Sequence, residues 1–216
     1  DLTDKDQIVN KDAVSMLVSL GIIEGKPDGS YAPTENVDRA QMAKMLSVIM
    51  NKGVDNSALY QSVNSGLTDI TSNWAKGHIN YCYTTGIIAG RGNGTFDPSA
   101  TVTALEAAKM LLVAVGYDPA IEGFEGADWA INVSVRADEQ GIFEGFTKDL
   151  SAPLNRDDAA LLIYNALDVE MIQSYTTNNY PIVYSDHRTI LSDKYGVIKV
   201  EGVVTANEWA ILDDDT

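Results

Sequence analysis

Two arginines, Arg39 and Arg156, stand directly after residues that can cap the start of a helix. A cation in the first turn of a helix opposes the helix dipole, so its presence there needs a reason. One interpretation is an exposed arginine that pairs with a neighbouring carboxylate. The other is an anion site, in which free backbone N–H groups and the guanidinium converge on a carboxylate or a phosphate.

The net charge of the chain makes a local anion site informative. Fifteen Lys and Arg residues stand against 31 Asp and Glu residues, which gives a formal net charge of -16. The summed field repels nucleic-acid backbones and anionic lipids. No apolar run reaches the roughly 18 residues that a membrane-spanning helix needs. We therefore predict no nucleic-acid partner and no membrane insertion, and an anionic ligand would have to be held by local cations.

Signals for catalysis or metal binding are weak. The histidines, His78 and His187, form no Ser-His-Asp or Cys-His pattern by spacing, and His78 is expected to be a surface or satisfied core residue. The single cysteine, Cys82, lies in an apolar stretch and is expected to be a buried thiol. The turns at residues 26–30 and 91–95 lack the alternating oxygen ligands of a calcium loop. The sequence thus predicts no catalytic residue, no metal ligand and no cofactor.

An internal repeat organises the chain. Residues 21–46 align without a gap on residues 86–111, with eleven of 26 positions identical. Residues 141–167 form a third copy, shortened between its glycine and its second helix. Each copy is preceded by a segment whose apolar residues recur with helical spacing. Each unit is therefore predicted to be a helix, a loop and a second helix. One unit cannot bury its own apolar stripe, so the three units are expected to share a centre.

The second helix of every unit is predicted to open with a capping box. In unit two, the first helix is expected to run from about residue 73 to 85 and to end at Gly86. The apolar stripe of the second helix in that unit is expected to be core. The boxes are Asp38-x-x-Gln41, Thr103-x-x-Glu106 and Asn155-x-x-Asp158, and the stripe comprises Leu105, Ala108, Leu111, Leu112 and Val115.

Two tryptophans stand at equivalent positions of units two and three. Trp74 and Trp129 each lie 12 residues before the glycine that ends the first helix, where unit one has Val9. Taken singly, each is expected to be a core anchor, although an indole near a loop can also stack on a sugar face. Glycines after the first helix permit the turn and let a ligand approach the backbone. They are Gly25, Gly90 and Gly145.

These motifs resemble those of the S-layer homology (SLH) domains of bacterial surface proteins. That family combines an Asp-containing lead, a Trp-Ala helix start, Gly-Ile-Ile-x-Gly, an Asp-Gly-Thr-Phe-x-Pro turn and Thr-Arg-Ala-Glu at the second helix. The similarity covers about residues 1–167. Unit two carries Leu67-Thr68-Asp69, Trp74-Ala75, Gly86-Ile87-Ile88-Ala89-Gly90 and Asn93-Gly94-Thr95-Phe96-x-Pro98, and unit one carries Gly21 to Gly25, Asp28 to Pro33 and Asp38-Arg39-Ala40-Gln41.

The resemblance implies a mainly α fold, in which three repeats form a pseudo-trimer around a central three-helix bundle and a short β-containing segment follows. β-Branched and aromatic residues predict strands in that last segment. The predicted strands lie at residues 180–184, 189–191 and 196–205. The predicted divisions are repeat one at 1–60, repeat two at 61–120, repeat three at 121–170, and a linker with the start of a β-rich domain at 171–216.

The function implied by the resemblance is noncatalytic anchoring of an S-layer or surface protein. The ligand would be a secondary cell wall polysaccharide or a peptidoglycan-linked polymer, bound in grooves between repeats. The helix-start arginine would contact the carboxylate of a pyruvylated amino sugar, and other S-layer subunits are further candidate partners. The implied location is the cell surface, as a secreted component of the cell wall or S-layer. The candidate ligand-binding residues are Gly25, Arg39, Gln41, Asp69, Trp74, Gly90, Glu106, Trp129, Gly145 and Arg156.

Departures from the family pattern predict unequal grooves. Unit two has Ala104 in place of the motif arginine, and unit three has Phe124 in place of the leading Asp. The groove of Arg39, completed by Asp69 and Trp74 of the following unit, is predicted to dominate. Replacement of Arg39 by alanine is expected to weaken wall binding without unfolding the protein.

Two alternative functions remain open at this point. A helical protein–protein interaction module would use the same repeats to bind a partner protein, with the two arginines in surface salt bridges. An envelope enzyme could instead carry this chain as its anchor segment, with the catalytic domain elsewhere.

Overall fold

The computed structural model describes residues 2–200 of the chain. This part is mainly α, as predicted, with seven α-helices, one two-stranded sheet and short 3-10 turns at Lys5–Gln7 and Ser57–Tyr60. The helices are α1 (Lys11–Ser19), α2 (Arg39–Met50), α3 (Lys76–Thr84), α4 (Ala104–Val115), α5 (Trp129–Glu139), α6 (Arg156–Ala166) and α7 (Ile190–Tyr195), and the strands are β1 (Ile172–Tyr175) and β2 (Pro181–Val183).

The first six helices form three helix–loop–helix units, α1–α2, α3–α4 and α5–α6. The first helix of unit two ends at Gly86, as predicted, and this residue has a φ of 78°. That left-handed backbone strains any residue with a Cβ, so the glycine stops the helix. The predicted start at residue 73 is three residues early, because the Asn73 side chain accepts a hydrogen bond from the Ala75 N–H and holds a turn before α3.

Capping differs between the units. The side chains of Asp38 and Thr103 each accept a hydrogen bond from the backbone N–H three residues later. In return, the side chains of Gln41 and Glu106 accept a hydrogen bond from the backbone N–H of Asp38 and Thr103. In unit three, Asn155 accepts from the Asp158 N–H at 2.8 Å. The Asp158 carboxylate pairs with a lysine instead of reaching back, so the prediction of a complete capping box in this unit is wrong.

A closed cycle of hydrogen bonds joins the three units just before their second helices. The Val37 N–H donates to the Leu154 carbonyl at 2.8 Å, and the Leu154 N–H donates to the Val102 carbonyl at 2.7 Å. The Val102 N–H donates back to the Val37 carbonyl at 2.9 Å. All three residues are buried. The units therefore form a ring, as the predicted pseudo-trimer requires, and a linear stack of repeats is excluded.

Helix packing follows the same cyclic order. At the centre, α4 packs against both α2 and α6, and the predicted apolar stripe of α4 is buried. Each first helix packs on the second helix of another unit: α3 on α2, α5 on α4, and α1 on α6. The start of every first helix is therefore placed beside a neighbouring unit, which decides the composition of the grooves described below.

The C-terminal segment differs from its prediction in detail. The strand predicted at residues 180–184 is present as β2 and pairs antiparallel with β1, which was not predicted. The strand predicted at residues 189–191 is wrong, because the Thr189 side chain caps α7 by accepting from the Ser192 N–H. Residues 196–200 form no strand, and the rest of the third predicted strand lies outside the described residues.

Residues of this segment share the core of the ring. Ile172, Ile190 and Leu191 are buried in the same hydrophobic cluster as the helices. The Tyr195 hydroxyl donates to the Ile49 carbonyl at 3.3 Å, at the end of α2. Residues 171–200 therefore pack against the ring at the end of α2. The division of the chain at residue 170 stays a prediction. No helix in the described range 2–200 is long and apolar enough to cross a membrane.

Candidate ligand-binding grooves

Arg39 opens α2, and only 4% of the residue is exposed. Its Nε donates to the Phe96 carbonyl and its Nη2 to the Ala89 carbonyl, each at 2.8 Å. The guanidinium carbon lies 4.4 Å from the centroid of the Phe96 ring. Burial, followed by the charge of Arg91, lowers the pKa of Arg39 to about 10, so the side chain stays charged at neutral pH.

Arg156 repeats this geometry at the start of α6. Its Nε donates to the Tyr31 carbonyl at 2.8 Å and its Nη2 to the Glu24 carbonyl at 3.1 Å. The guanidinium carbon lies 4.8 Å from the centroid of the Tyr31 ring. In both cases an arginine of one unit is fixed on the loop of the next unit around the ring.

Within residues 2–200, no ion pair holds either arginine. Among the described residues, Arg91, Arg136 and Arg188 each have a carboxylate within 4.0 Å, whereas no such partner is found for Arg39 or Arg156. A guanidinium has five N–H donors, and the hydrogen bonds described for each of these two use two of them. The interpretation as exposed, ion-paired arginines is therefore wrong.

The Arg39 groove is a cavity of about 570 Å³ at the junction of the three units. Arg39 comes from unit one, Gly90 and Glu106 come from unit two, and Trp129 comes from unit three. Arg91, Lys109 and Glu125 add charged groups to its wall. Four of the predicted ligand-binding residues thus line one cavity.

The Arg156 groove is the equivalent cavity one position along the ring, with a volume of about 260 Å³. Arg156 comes from unit three, Gly25 and Gln41 come from unit one, and Trp74 comes from unit two. Lys44 lies on its wall at the position that Lys109 occupies in the Arg39 groove. Four further predicted residues meet here.

The pairing of arginines and tryptophans differs from the prediction. The sequence placed Trp74 with Arg39, but Trp74 lines the Arg156 groove and Trp129 lines the Arg39 groove. The reason is the packing of α3 on α2 and of α5 on α4, because each tryptophan at or just before the start of a first helix then faces the second helix of the preceding unit. Each groove consequently draws on all three units.

The tryptophans also differ from their expected role as core anchors. Trp74 is 57% exposed, and Trp129 is half-buried with its ring 5.8 Å from Lys109 Nζ. Exposed indole beside a groove is unusual for a purely structural residue. The prediction of a core anchor is wrong for Trp74.

Two of the groove glycines have close neighbours, which are a movable leucine side chain at Gly25 and fixed backbone at Gly90. A Cβ on Gly25 would lie 2.9 Å from Leu2 Cδ2, and a Cβ on Gly90 would lie 2.9 Å from the Thr95 carbonyl oxygen. Gly145 instead has a left-handed φ of 77°. Their predicted contact with a ligand stays a prediction.

Asp69 lies beneath the loop of unit two, outside the residues that line either groove. Its two carboxylate oxygens accept hydrogen bonds from the Phe96 and Asp97 N–H groups at 2.8 and 2.7 Å. Although burial acts in the opposite direction, these bonds hold the pKa of Asp69 below its ordinary value. Because the Phe96 carbonyl receives Arg39, Asp69 positions the arginine through the loop. Asp4 does the same for Tyr31 and Arg156.

Comparison with known proteins agrees with this architecture. The family profile described as S-layer homology domain matches residues 1–43 and 66–108. The chain contains S-layer homology (SLH) domains. The matched segments lie in units one and two of the ring, including the leads of both units and the starts of α2 and α4.

Several relatives are surface or wall proteins that carry a similar segment. A cell surface protein of Thermoanaerobacter kivui is 30% identical over 96% of this chain and 24% of its own length. The S-layer protein EA1 of Bacillus anthracis is 32% identical over 51% of this chain and 12% of its own length. An exoglucanase, XynX, of Acetivibrio thermocellus is 28% identical over 73% of this chain and 15% of its own length. The chain thus spans less than a quarter of the length of each of these relatives. The similarity confirms the predicted family and the predicted cell-surface location.

The ring of three units brings the departures from the family pattern together at a third junction. The Leu105 N–H donates to the Leu150 carbonyl, which places the start of α4, with Ala104, on the loop of unit three. Asn10, beside Val9, donates its backbone N–H to Asp157 Oδ1 at 3.2 Å. Three departures therefore meet at one junction. They are Ala104 at the arginine position, the shortened loop of unit three, and Val9 at the tryptophan position. The sequence had assigned them to three separate units.

The two complete SLH grooves are locally cationic in an acidic protein. Burial lowers the pKa of Lys109, and Glu125 opposes this effect. Sequence reasoning missed Lys44 and Lys109, and it missed the aromatic rings beneath the arginines. The available signal was the lysine shared by units one and two, which is Leu161 in unit three.

His78 is a satisfied core residue, as expected. Its Nδ1 lies 2.6 Å from Ser47 Oγ, and its Nε2 lies 3.6 Å from an Asp55 carboxylate oxygen. Burial lowers the pKa of His78. Because Ser47 and His78 are both buried between α2 and α3, this Ser-His-Asp contact stabilises the helix pair and offers no accessible nucleophile.

Proposed function

We propose that the SLH ring is a noncatalytic anchor, which attaches a cell-surface protein to the wall by binding an acidic secondary cell wall polysaccharide in the Arg39 and Arg156 grooves. The proposed epitope is a pyruvylated amino sugar. The observation that carries this proposal is a buried or half-buried arginine that has no ion pair with any residue the structure describes. It is repeated in two grooves that each contain an exposed or half-buried tryptophan.

The groove chemistry fits an acid-bearing sugar. Free N–H groups of the guanidinium can donate to a carboxylate in a charge-assisted pair, which is stronger than a neutral hydrogen bond. The indole supplies a flat apolar surface for a sugar ring. A net charge of -16 would repel a polyanion from the rest of the surface, so specific capture in the grooves is the physical basis for binding.

The third unit enters this proposal through its geometry. Its helices close the ring, and it supplies Arg156 to one groove and Trp129 to the other. We therefore propose that residues 121–170 are a third SLH repeat. Its own loop faces the third junction, where Ala104 and Val9 stand at the arginine and tryptophan positions.

A binding assay on purified, protein-free cell walls tests the function. We expect the protein to be retained on walls that keep their secondary polymer and to be lost after acid removes that polymer. A pyruvylated amino-sugar glycoside should release bound protein, whereas the same glycoside without the carboxylate should compete much less. Equal competition by both sugars would contradict the anion site.

The alternatives differ in what the structure offers them. The protein-interaction module placed Arg39 and Arg156 in surface salt bridges, and none is found for them among the described residues. The anchor segment of a larger enzyme is favoured by the similarity to an exoglucanase and to an amylopullulanase of Thermoanaerobacterium thermosulfurigenes. In that case the chain described here would still be the anchor.

A further inference from the structure

We propose that Lys44 and Lys109 are specificity-determining residues, whose ammonium groups act with the arginine of the preceding unit to select acid-bearing sugars over neutral ones. This inference rests on the proposed function of the two grooves. It assigns the discrimination between acidic and neutral sugars to a lysine that lies one helical turn after Gln41 or Glu106.

The first support is placement. Lys44 lies three residues after Gln41, and Lys109 lies three residues after Glu106, so each lysine shares a helix face with a cap residue that lines the groove. The arginine reaches the same cavity from another unit. Each groove therefore presents an arginine and a lysine from separate helices to one ligand, beside a third cation on the loop, Arg91 or Lys26.

The second support is that neither lysine is paired with a carboxylate of the described residues. Neither Lys44 nor Lys109 has a carboxylate within 4.0 Å among the described residues, although carboxylates outnumber cations two to one in the chain. The Nζ of Lys109 lies 5.8 Å from the centroid of the Trp129 ring. An ammonium held over an indole at the edge of a cavity can meet an acidic substituent of a sugar that stacks there.

The third support is mutual repulsion. Burial lowers the pKa of Lys109, the Glu125 carboxylate acts against this effect, and the charge of Arg39 lowers the pKa further. Two cations that repel each other at one cavity are stabilised when an anion binds between them. The ligand gains two partners for its charge, and a neutral sugar gains neither.

The third junction provides a natural comparison. Leu161 occupies the lysine position there, and Ala104 occupies the arginine position. The same junction has lost both cations together, which is the pattern expected if they serve one ligand group.

The test compares two sugars rather than one. Binding of a pyruvylated amino-sugar methyl glycoside and of its counterpart without the pyruvyl group is measured by calorimetry on the full chain. The wild type is compared with Lys44→Leu/Lys109→Leu, which copies the residue of unit three. Lys5→Leu/Lys76→Leu removes the same charge outside both grooves and is the matched control.

We expect the preference for the acidic sugar to fall about tenfold or more in Lys44→Leu/Lys109→Leu, because a charge-assisted contact is lost. The control should keep the wild-type preference. Lys44→Arg/Lys109→Arg should also keep it, because an arginine leaves a cation at each lysine position.

The outcomes separate the two proposals. A wild type that binds neither sugar would contradict the proposed function itself. Suppose instead that the wild type prefers the acidic sugar. If the leucine variant is folded by circular dichroism and keeps the same preference, the role of the lysines is overturned and the proposed function stands. If the leucine variant does not fold, Lys44→Gln/Lys109→Gln replaces it and is judged by the same ratio.

Discussion

At the scale of single residues, Arg39 combines a structural role with its proposed binding role. Its guanidinium satisfies two carbonyls and covers an aromatic ring, while it retains donors toward the groove. A first-turn arginine was expected to add little stability. The structure favours a larger contribution, because the loop of another unit surrounds the side chain.

We predict that Arg39→Ala lowers the free energy of unfolding by about 1 to 3 kcal/mol, since it leaves the Phe96 and Ala89 carbonyls without their donor. Urea denaturation measures the change. The control is Arg188→Ala, because its 39% exposed side chain makes surface ion pairs that contribute less than about 1 kcal/mol. Equal effects of the two substitutions would show that Arg39 has no structural role.

At the scale of elements, the loops between paired helices are held by carboxylates from the preceding segment. Asp69 fixes the loop of unit two, Asp4 fixes that of unit one, and buried Phe124 stands at the equivalent position in unit three. Two loops are therefore locked by hydrogen bonds that position an arginine. The third loop lacks this lock and serves the junction without arginine.

We predict that Asp69→Ala lowers the melting temperature at pH 7 by about 2 to 4 °C, because two backbone N–H groups lose their acceptor. The folded-state pKa of Asp69 lies below 3.8, so its contribution is complete above that pH and is lost as the pH falls through the folded value. Thermal unfolding at pH 7 and well below pH 3.8 should show the difference from wild type shrinking in acid. An exposed residue of α5, Asp138, supplies the control substitution to alanine. A difference that persists undiminished in acid would contradict the loop lock.

At the scale of the whole molecule, the ring creates two complete grooves and one incomplete junction. Helix α2 contributes Arg39 to one groove and Gln41 and Lys44 to the other, so the two grooves flank the same helix. Both complete grooves contain an arginine, a lysine and a tryptophan. The predicted dominance of the Arg39 groove stays a prediction, although the Trp74 assigned to it belongs to its neighbour.

We predict that the protein binds two molecules of a pyruvylated amino sugar, since only two junctions carry the arginine and the tryptophan. Calorimetric stoichiometry measures this number directly. Trp74→Ala and Trp129→Ala should each leave one high-affinity site. Three equivalent sites in the wild type would contradict the incomplete junction.

The same variants should differ more strongly on intact walls. Two linked sites on one polymer raise the overall affinity by about 10² to 10⁴ over one site, provided both can be occupied together. Trp74→Ala/Trp129→Ala should therefore lose retention far beyond the loss of either single variant. An additive, small loss would indicate that the grooves bind separate chains.

The sequence by itself determined the features that depend on local order. The repeat alignment, the glycine that ends the first helix of unit two and the cap residues of α2 and α4 follow from spacing and hydrogen bonds within a few residues. The arginines were identified because a cation at a helix start conflicts with the local dipole. The threefold ring was also predictable, since each unit leaves an apolar stripe that only its neighbours can cover.

Only the tertiary structure decided which residues meet. The cycle through Val37, Val102 and Leu154 joins residues far apart in the chain, and it sets which helix start faces which loop. The pairing of Trp129 with Arg39, the exposure of Trp74 and the gathering of all departures at one junction follow from that closure. Spacing along a chain carries no information on such contacts, because they are fixed by how three packed units close on one another.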